Sequence, residues 1–299
     1  MSDLSEQMRR EWGHNDAERD KNLKTPNDII RFDNISYGPD TRWNLLDVYR
    51  PKKAENNKLP VIVIIHGGGW VYGTKEIYQF YGMHLAQHGF AVINYNYRLA
   101  PEVKYPASFE DSAAVIRWIY EHHAKYGLDV KNLILAGDSA GGNMAGVIVG
   151  IMTNKEYAAL YPTVHFPSEF SPIALLMNCG AYQLFKKDGS PDRDTMEPLI
   201  HDYLDENHFD ECKMRLNVID LVNDKFPPVY IMTAQGDFLK RQAQLLAKAC
   251  CQHKIEFVYR MFGTKADPLF HVFHVTIYNP SAIRCNNEEC SFVKEYIKA

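Results

Sequence analysis

The amino-acid sequence predicts an α/β fold, with a mostly parallel central sheet of about eight strands flanked by helices. Three observations predict it. Short apolar runs recur from residue 61 onward and are nearly continuous, as strands buried on both faces require. Between them come amphipathic stretches long enough to cross from one parallel strand to the next. Finally, 299 residues, 46% of them hydrophobic, suffice for one large domain or two small ones with a real core. No internal repeat or low-complexity linker is visible, so residues 1–299 are read as a single domain.

Residues 1–30 carry apolar side chains sparsely, at Leu4, Met8, Trp12 and Leu23, with charges between them. They read as one helix and a connector, a segment suited to cap a site. Residues 29–37 and 43–49 read as strands of an edge hairpin around the turn-forming Gly38-Pro39-Asp40. The run at 61–65 is almost wholly β-branched, and runs at 90–95, 133–136, 173–177, 229–233 and 256–261 follow it. Helices are expected at 76–88, 109–126, 140–153, 239–251 and 288–297. Ala113, Ile116 and Tyr120 share one stripe of the second, and Leu239, Ala243 and Leu246 share one of the fourth. Residues 182–226 are too long for a crossover and rich in Asp, Glu, Lys and His, with helix-like pieces near 196–207. A connection of that length reads as an insertion over the strand ends, a second part of the cap.

The formal net charge is −4 and the basic residues are scattered, which gives no footprint for nucleic acid. The first 24 residues lack an apolar signal-peptide core and no later apolar stretch reaches the length of a membrane span, so the protein is expected in the cytoplasm. Cys179, Cys212, Cys250, Cys251, Cys285 and Cys290 show no CxxC spacing. They read as reduced and mostly buried, with neither a disulfide framework nor a zinc site.

The chemistry gathers around Gly137-Asp138-Ser139-Ala140-Gly141, a G-x-S-x-G pattern directly after the run at 133–136. A serine on a sharp strand-to-helix turn needs small neighbours two positions away on either side, because a Cβ there would meet the crossing backbone. A helix starting near Ala140 puts its unpaired N–H groups beside the Ser139 hydroxyl. After the run at 61–65 comes His66-Gly67-Gly68-Gly69-Trp70. Three consecutive glycines are expected where the chain comes close to something or adopts positive φ, here a loop whose N–H groups meet an oxyanion.

A nucleophilic serine needs a base, and the base an orienting acid. The run at 229–233 leads into Asp237, on a loop at a strand's C-terminal end, where open α/β sheets bind ligands. The last run leads to His271-Val272-Phe273-His274. Ser139, Asp237 and His271 follow the Ser…Asp…His chain order of the G-x-S-x-G hydrolases. Asp237 is preferred over Asp267, which precedes His271 by four residues on the same loop. His271 is preferred over His274 because it comes earlier in the loop and leaves Phe273 and Val275 to pack. His66 reads as a prop for the glycine loop.

Taken together, His66-Gly67-Gly68-Gly69-Trp70, Tyr97-Arg98-Leu99-Ala100-Pro101-Glu102 with Tyr105-Pro106-Ala107, Gly137-Asp138-Ser139-Ala140-Gly141-Gly142, Pro227-Pro228 leading to Asp237-Phe238-Leu239, and His271-Val272-Phe273 resemble the hormone-sensitive-lipase-like carboxylesterase branch of the α/β-hydrolase fold. The resemblance runs from about residue 30 to the C-terminus. It implies a serine carboxylesterase with Ser139 as nucleophile, His271 as base then acid, Asp237 as orienting carboxylate, and the N–H groups of Gly68, Gly69 and Ala140 as oxyanion hole. Arg98 and Glu102 would brace loops. Departures are Lys240-Arg241-Gln242 where such proteins usually carry acidic residues, Val272 where they carry glycine, and a short N-terminal lid.

The expected substrate is a small-molecule ester with a short acyl group, acetyl first, and no metal or organic cofactor is called for. Trp70, Tyr72 and Cys179 are expected to contribute to the substrate pocket. The polar insertion argues against long acyl chains and leaves room for a hydrophilic alcohol. Two alternatives stand beside this reading: an amidase of the arylformamidase kind, which would use the same machinery, and a non-catalytic ligand-binding member of the fold. Homodimers are common among proteins of this kind, and no apolar surface stripe in the sequence establishes one here.

Overall fold

In the computed structural model, which describes residues 1–298, the chain opens with helix α1 (Asp3–Asp20) and continues into an antiparallel hairpin of β1 (Ile29–Ser36) and β2 (Leu45–Pro51). Alternation follows: β3 (Leu59–Ile65), α2 (Lys75–Gln87), β4 (Ala91–Tyr95), α3 (Ala107–Tyr126), β5 (Leu128–Asp138) and α4 (Ala140–Thr153). After the one-turn α5 (Lys155–Ala158) come β6 (Ala174–Asn178), α6 (Glu197–Tyr203), the one-turn α7 (Phe209–Cys212), β7 (Val229–Ala234), α8 (Lys240–His253), β8 (Phe257–Phe262) and α9 (Pro280–Lys294). The eight strands form one sheet in the order β1-β2-β4-β3-β5-β6-β7-β8. β2 meets β4 antiparallel, and from β4 to β8 every pairing is parallel. The fold is therefore the predicted one: an eight-stranded, mostly parallel sheet flanked by helices.

Period-two alternation places the core. Val61, Val63 and Ile65 of β3 pack into one apolar cluster with Ala113, Ile116, Val147 and Leu246 of α3, α4 and α8. Ile62 and Ile64 point the other way, into a second cluster with Met83 and Leu85 of α2 and Ala282 and Val293 of α9. These five side chains are at most 1% exposed, and burying each contributes about 1.5–3 kcal/mol.

Three of the boundaries that differ from the sequence expectation have a plain local cause. β2 starts at Leu45 because Asn44 still belongs to the turn, its N–H bonded to the Asp40 carbonyl and its own carbonyl accepting from Tyr37. β5 begins at Leu128, since Leu128 and Asp129 pair with Leu59 and Pro60 before a register shift leads to the buried run. α9 begins at Pro280, eight residues before the expected start. Asn279 caps it by accepting the Ser281 N–H at 2.8 Å, and Pro280 occupies the first turn, where its missing N–H costs nothing.

The two segments expected as a cap meet above the carboxyl ends of the strands. Asp202 of α6 accepts from the Ser2 N–H at 2.8 Å and from the hydroxyls of Ser2 and Ser5. Arg9 of α1 donates to the carbonyls of Val71 and Ala100, each at 2.7 Å, and pairs with Glu102. Glu102 thus braces α1, as Arg98 braces α3 through Glu110 and Asp111. No helix among the described residues is long and apolar enough to cross a membrane.

Candidate active site

Ser139 sits between β5 and α4 with φ 51° and ψ −118°, a conformation an L-residue holds only when its surroundings impose it. The surroundings are backbone. A Cβ on Gly137 would collide with the Gly141 carbonyl, and one on Gly141 with the Ile65 carbonyl. The Ser139 N–H donates to the Asn178 carbonyl at 3.0 Å, and its own carbonyl accepts from Ala181. These bonds tie the turn to the end of β6 and to the segment that follows it.

The glycine loop after β3 lies against this turn. Gly68 has φ 110° and Gly69 φ 59°, so both positions need the freedom glycine gives. Among the described residues, no acceptor faces the N–H groups of Gly68, Gly69 or Ala140, although all three residues are buried or half-buried. Unpaired donors converging beside a serine are what an oxyanion requires. His66 is fully buried, stacks on Tyr97 at 4.1 Å, and its Nδ1 lies 2.8 Å from the Gly67 carbonyl. Burial depresses its pKa to about 4, so it props the loop as a neutral ring.

Asp237 and His271 meet from separate strand ends. His271 Nδ1 donates to Asp237 Oδ1 at 2.8 Å; the carboxylate is buried and the ring 17% exposed. Asp237 also accepts from the Leu239 N–H at 2.9 Å and the Thr233 hydroxyl at 2.8 Å. Burial alone would raise the Asp237 pKa, but the His271 bond and charge, the Leu239 N–H and the Thr233 hydroxyl together hold it below the ordinary value. The rivals stand elsewhere. Asp267 is exposed on its loop, while His274 is buried edge-on to Tyr81 at 4.9 Å, with a pKa driven down to about 3 by burial and the His271 charge.

Two cavities share Ser139. The wider, about 370 Å³, is lined by Gly67, Gly68, Tyr72, Tyr78, Phe238 and His271 and roofed by α1. The narrower, about 30 Å³, lies on the other side, among Trp70, Ala140, Leu184, Met196, Leu199 and Ile200. Tyr72 lines the wider cavity and Trp70 the narrower one. Cys179 lines neither: it is fully buried, at φ 47°. Its sulfur, an Asp237 oxygen and a His271 nitrogen lie within 4.8 Å of one another, so it packs behind the Asp–His pair. Its place just past β6 suggested the pocket, but the side chain is buried in the core beside Met232. Burial and the Asp237 charge push the thiol pKa well up. A metal held by these three groups would compete for the oxygen and nitrogen already joined at 2.8 Å.

Sequence reasoning missed Tyr78. Its hydroxyl accepts the Gly67 N–H at 3.0 Å and donates to Asp138 Oδ2 at 2.7 Å, fixing the glycine loop to the serine turn. Nothing in its place on an amphipathic helix distinguishes it from a core tyrosine. Asp138 was legible only as the x of the motif, yet burial raises its pKa to about 6 against the lowering effect of Tyr78 and of the His271 charge.

A family described as alpha/beta hydrolase fold matches residues 62–274. A carboxylesterase, NlhH, of Mycobacterium tuberculosis is 30% identical over 232 residues, 74% of this chain and 70% of that protein. A putative alpha/beta hydrolase of Acanthamoeba polyphaga mimivirus is 28% identical over 204 residues, 67% of this chain but only 58% of the relative's length. Among solved structures, esterase B of Lactobacillus rhamnosis superposes with a TM-score of 0.85 at 25% identity, covering 97% of this chain and 94% of that one.

Proposed function

This chain belongs to the alpha/beta hydrolase fold family, and from that premise we propose that it is a serine carboxylesterase that removes short acyl groups, acetyl first, through an acyl-enzyme. The observation that carries the reading is the 2.8 Å contact of His271 with Asp237 in the cleft that Ser139 shares, beside three unpaired N–H groups. Residues 1–299 act as one domain, with residues 1–30 and 182–226 as its cap.

In the proposed mechanism His271 takes the Ser139 proton through Nε2 as Oγ attacks the ester carbonyl, while Asp237 fixes the ring through Nδ1 and stabilises the imidazolium. The N–H groups of Gly68, Gly69 and Ala140 meet the oxyanion, each worth on the order of 10²–10³ in rate. His271 then gives the proton to the departing alcohol. Water, activated by the same ring, releases the acid.

The narrow cavity supports a short acyl group. A volume of about 10–15 Å³ holds one water-sized group, so 30 Å³ takes two or three, an acetyl or propionyl tail. A cytoplasmic location suits six free thiols, five of them buried.

Initial rates on p-nitrophenyl esters from acetate to laurate, with Ser139→Ala run beside the wild type, test the proposal. A rate that falls with acyl length and a variant slower by on the order of 10⁴-fold or more are expected. A variant as active as the wild type would refute it.

A further inference from the structure

The two cavities at Ser139 differ in which one His271 faces. His271 lines the wide cavity and is absent from the lining of the narrow one. The group that protonates the leaving alkoxide must face it, so the alcohol of the ester occupies the wide cavity and the acyl group the narrow one. This assignment rests on the esterase reading.

The far wall of the wide cavity is built from α1. Asp16 lines it, its Oδ1 accepting from Arg19 Nη1 at 2.7 Å and its Oδ2 from the Tyr72 hydroxyl at 2.6 Å. Each carboxylate oxygen can accept a second bond. Arg19 is also bound to Asp20 at 2.6 Å, so the charges on this wall are held in a network rather than presented singly. Asn15, exposed in the same lining, adds an amide. Phe238, 43% exposed, lines the same cavity with its ring 4.5 Å from that of His271, and so does Trp12 of α1.

We infer that the alcohol is a neutral polyhydroxylated ring, an acetylated monosaccharide or a polyol of similar size. Hydroxyls bind to the spare acceptors of Asp16 and to Asn15, and the C–H face of the ring lies on Phe238 and Trp12. An aliphatic alcohol would strip water from Asp16 and Asn15 and return no hydrogen bond, and sites built for a hydroxyl discriminate strongly against partners without one. An anionic alcohol would face the carboxyl groups of Asp16 and Asp138, which both line the cavity, against the one guanidinium of Arg19. The reaction is a simple hydrolysis: the acetyl–oxygen bond breaks, the acetyl passes to Ser139 Oγ, the sugar oxygen takes the proton from His271, and water releases acetate.

The test compares kcat/KM of the wild type on 6-O-acetylglucose and on cyclohexylmethyl acetate, which match in ring size and differ in hydroxyls, with p-nitrophenyl acetate as a common reference. A preference for the sugar ester of at least about tenfold is expected, carried mainly by KM. Asp16→Ala should reduce that preference to about threefold or less. Asn15→Leu, which leaves the Arg19–Asp16–Tyr72 bonds in place, should lower it in case Asp16→Ala loosens α1. Equal rates on the two esters, or a faster aliphatic one, with p-nitrophenyl acetate still cleaved, would overturn the inference and leave the esterase reading standing. Silence on all three esters would remove the esterase reading and this inference with it.

Discussion

Tyr78 donates its hydroxyl proton to Asp138 Oδ2 at 2.7 Å while accepting the Gly67 N–H at 3.0 Å. The contact joins the residue just before the serine to the loop whose next two N–H groups have no partner among the described residues. It also removes Gly67 from the set of free donors, which explains why the candidate oxyanion hole begins at Gly68.

Removing the phenol oxygen should therefore loosen the loop without emptying the pocket. Tyr78→Phe leaves Gly67 N–H and Asp138 facing each other without a relay. In p-nitrophenyl acetate kinetics kcat should fall about tenfold, less than the loss of a direct oxyanion donor, with KM within about twofold. An unchanged kcat would mean that packing alone holds the loop.

The carboxylate behind His271 offers a graded series. Asp237→Asn keeps the shape but reverses the hydrogen-bond sense at His271, and kcat should drop by on the order of 10³–10⁴. Thr233→Val removes one of three donors to that carboxylate and should cost about tenfold, while Thr233→Ser should restore most of the rate. The kcat ratio of the valine and serine variants separates the hydroxyl's role from the volume of the side chain.

Much of this site was legible because strand ends and sharp turns leave signatures in residue type. Gly137, Gly141, Gly68 and Gly69 stand where a side chain meets backbone or where φ is positive, and the order Ser139, Asp237, His271 follows from the topology. Val272 shows the limit of such reasoning. It sits at φ 50°, where glycine would be unstrained, and it packs against the apolar cluster behind the sheet while lining the wide cavity. Tyr78, Asp16 and Glu289 were not legible, because each acquires its role from a partner distant in sequence. Cys179 was misplaced because the sequence gives a position near the strand end but not the direction of the side chain.

Glu289 gives a prediction about stability. It is completely buried on α9, accepting from Tyr81 at 2.9 Å and Asn178 at 2.7 Å, with Cys285 nearby. Burial raises its pKa to about 7 from an ordinary 4.5, against the lowering effect of these donors. A raised acid favours the folded state fully below pH 4.5, and that contribution is lost as pH climbs through about 7. The rise from 4.5 to about 7 corresponds to about 3 kcal/mol at most. In urea unfolding, Glu289→Gln should gain on the wild type between pH 4.5 and 7.5 by a large part of that amount. Asp138, raised to about 6 by burial, contributes a slope of the same sign that the variant retains. A stability difference independent of pH would show that Glu289 is ionised in the fold.

Leu199 governs the proposed acyl limit. It is 3% exposed, lies against Gly69 and forms part of the narrow cavity's wall. Leu199→Ala removes three carbons from that wall and should cost about 2–4 kcal/mol of stability, so the variant is best assayed well below its melting temperature. The released space adjoins a cavity of only about 30 Å³, so the relative gain for a longer chain should be large. The ratio of kcat/KM for p-nitrophenyl hexanoate to that for the acetate should rise at least about tenfold, because the hexanoyl tail then buries methylenes worth about 0.8 kcal/mol each. The change should come from hexanoate improving rather than acetate collapsing, since acetyl barely reaches the altered wall. If both esters slow by the same factor, Leu199 positions the Gly69 loop instead, and the acyl limit lies elsewhere.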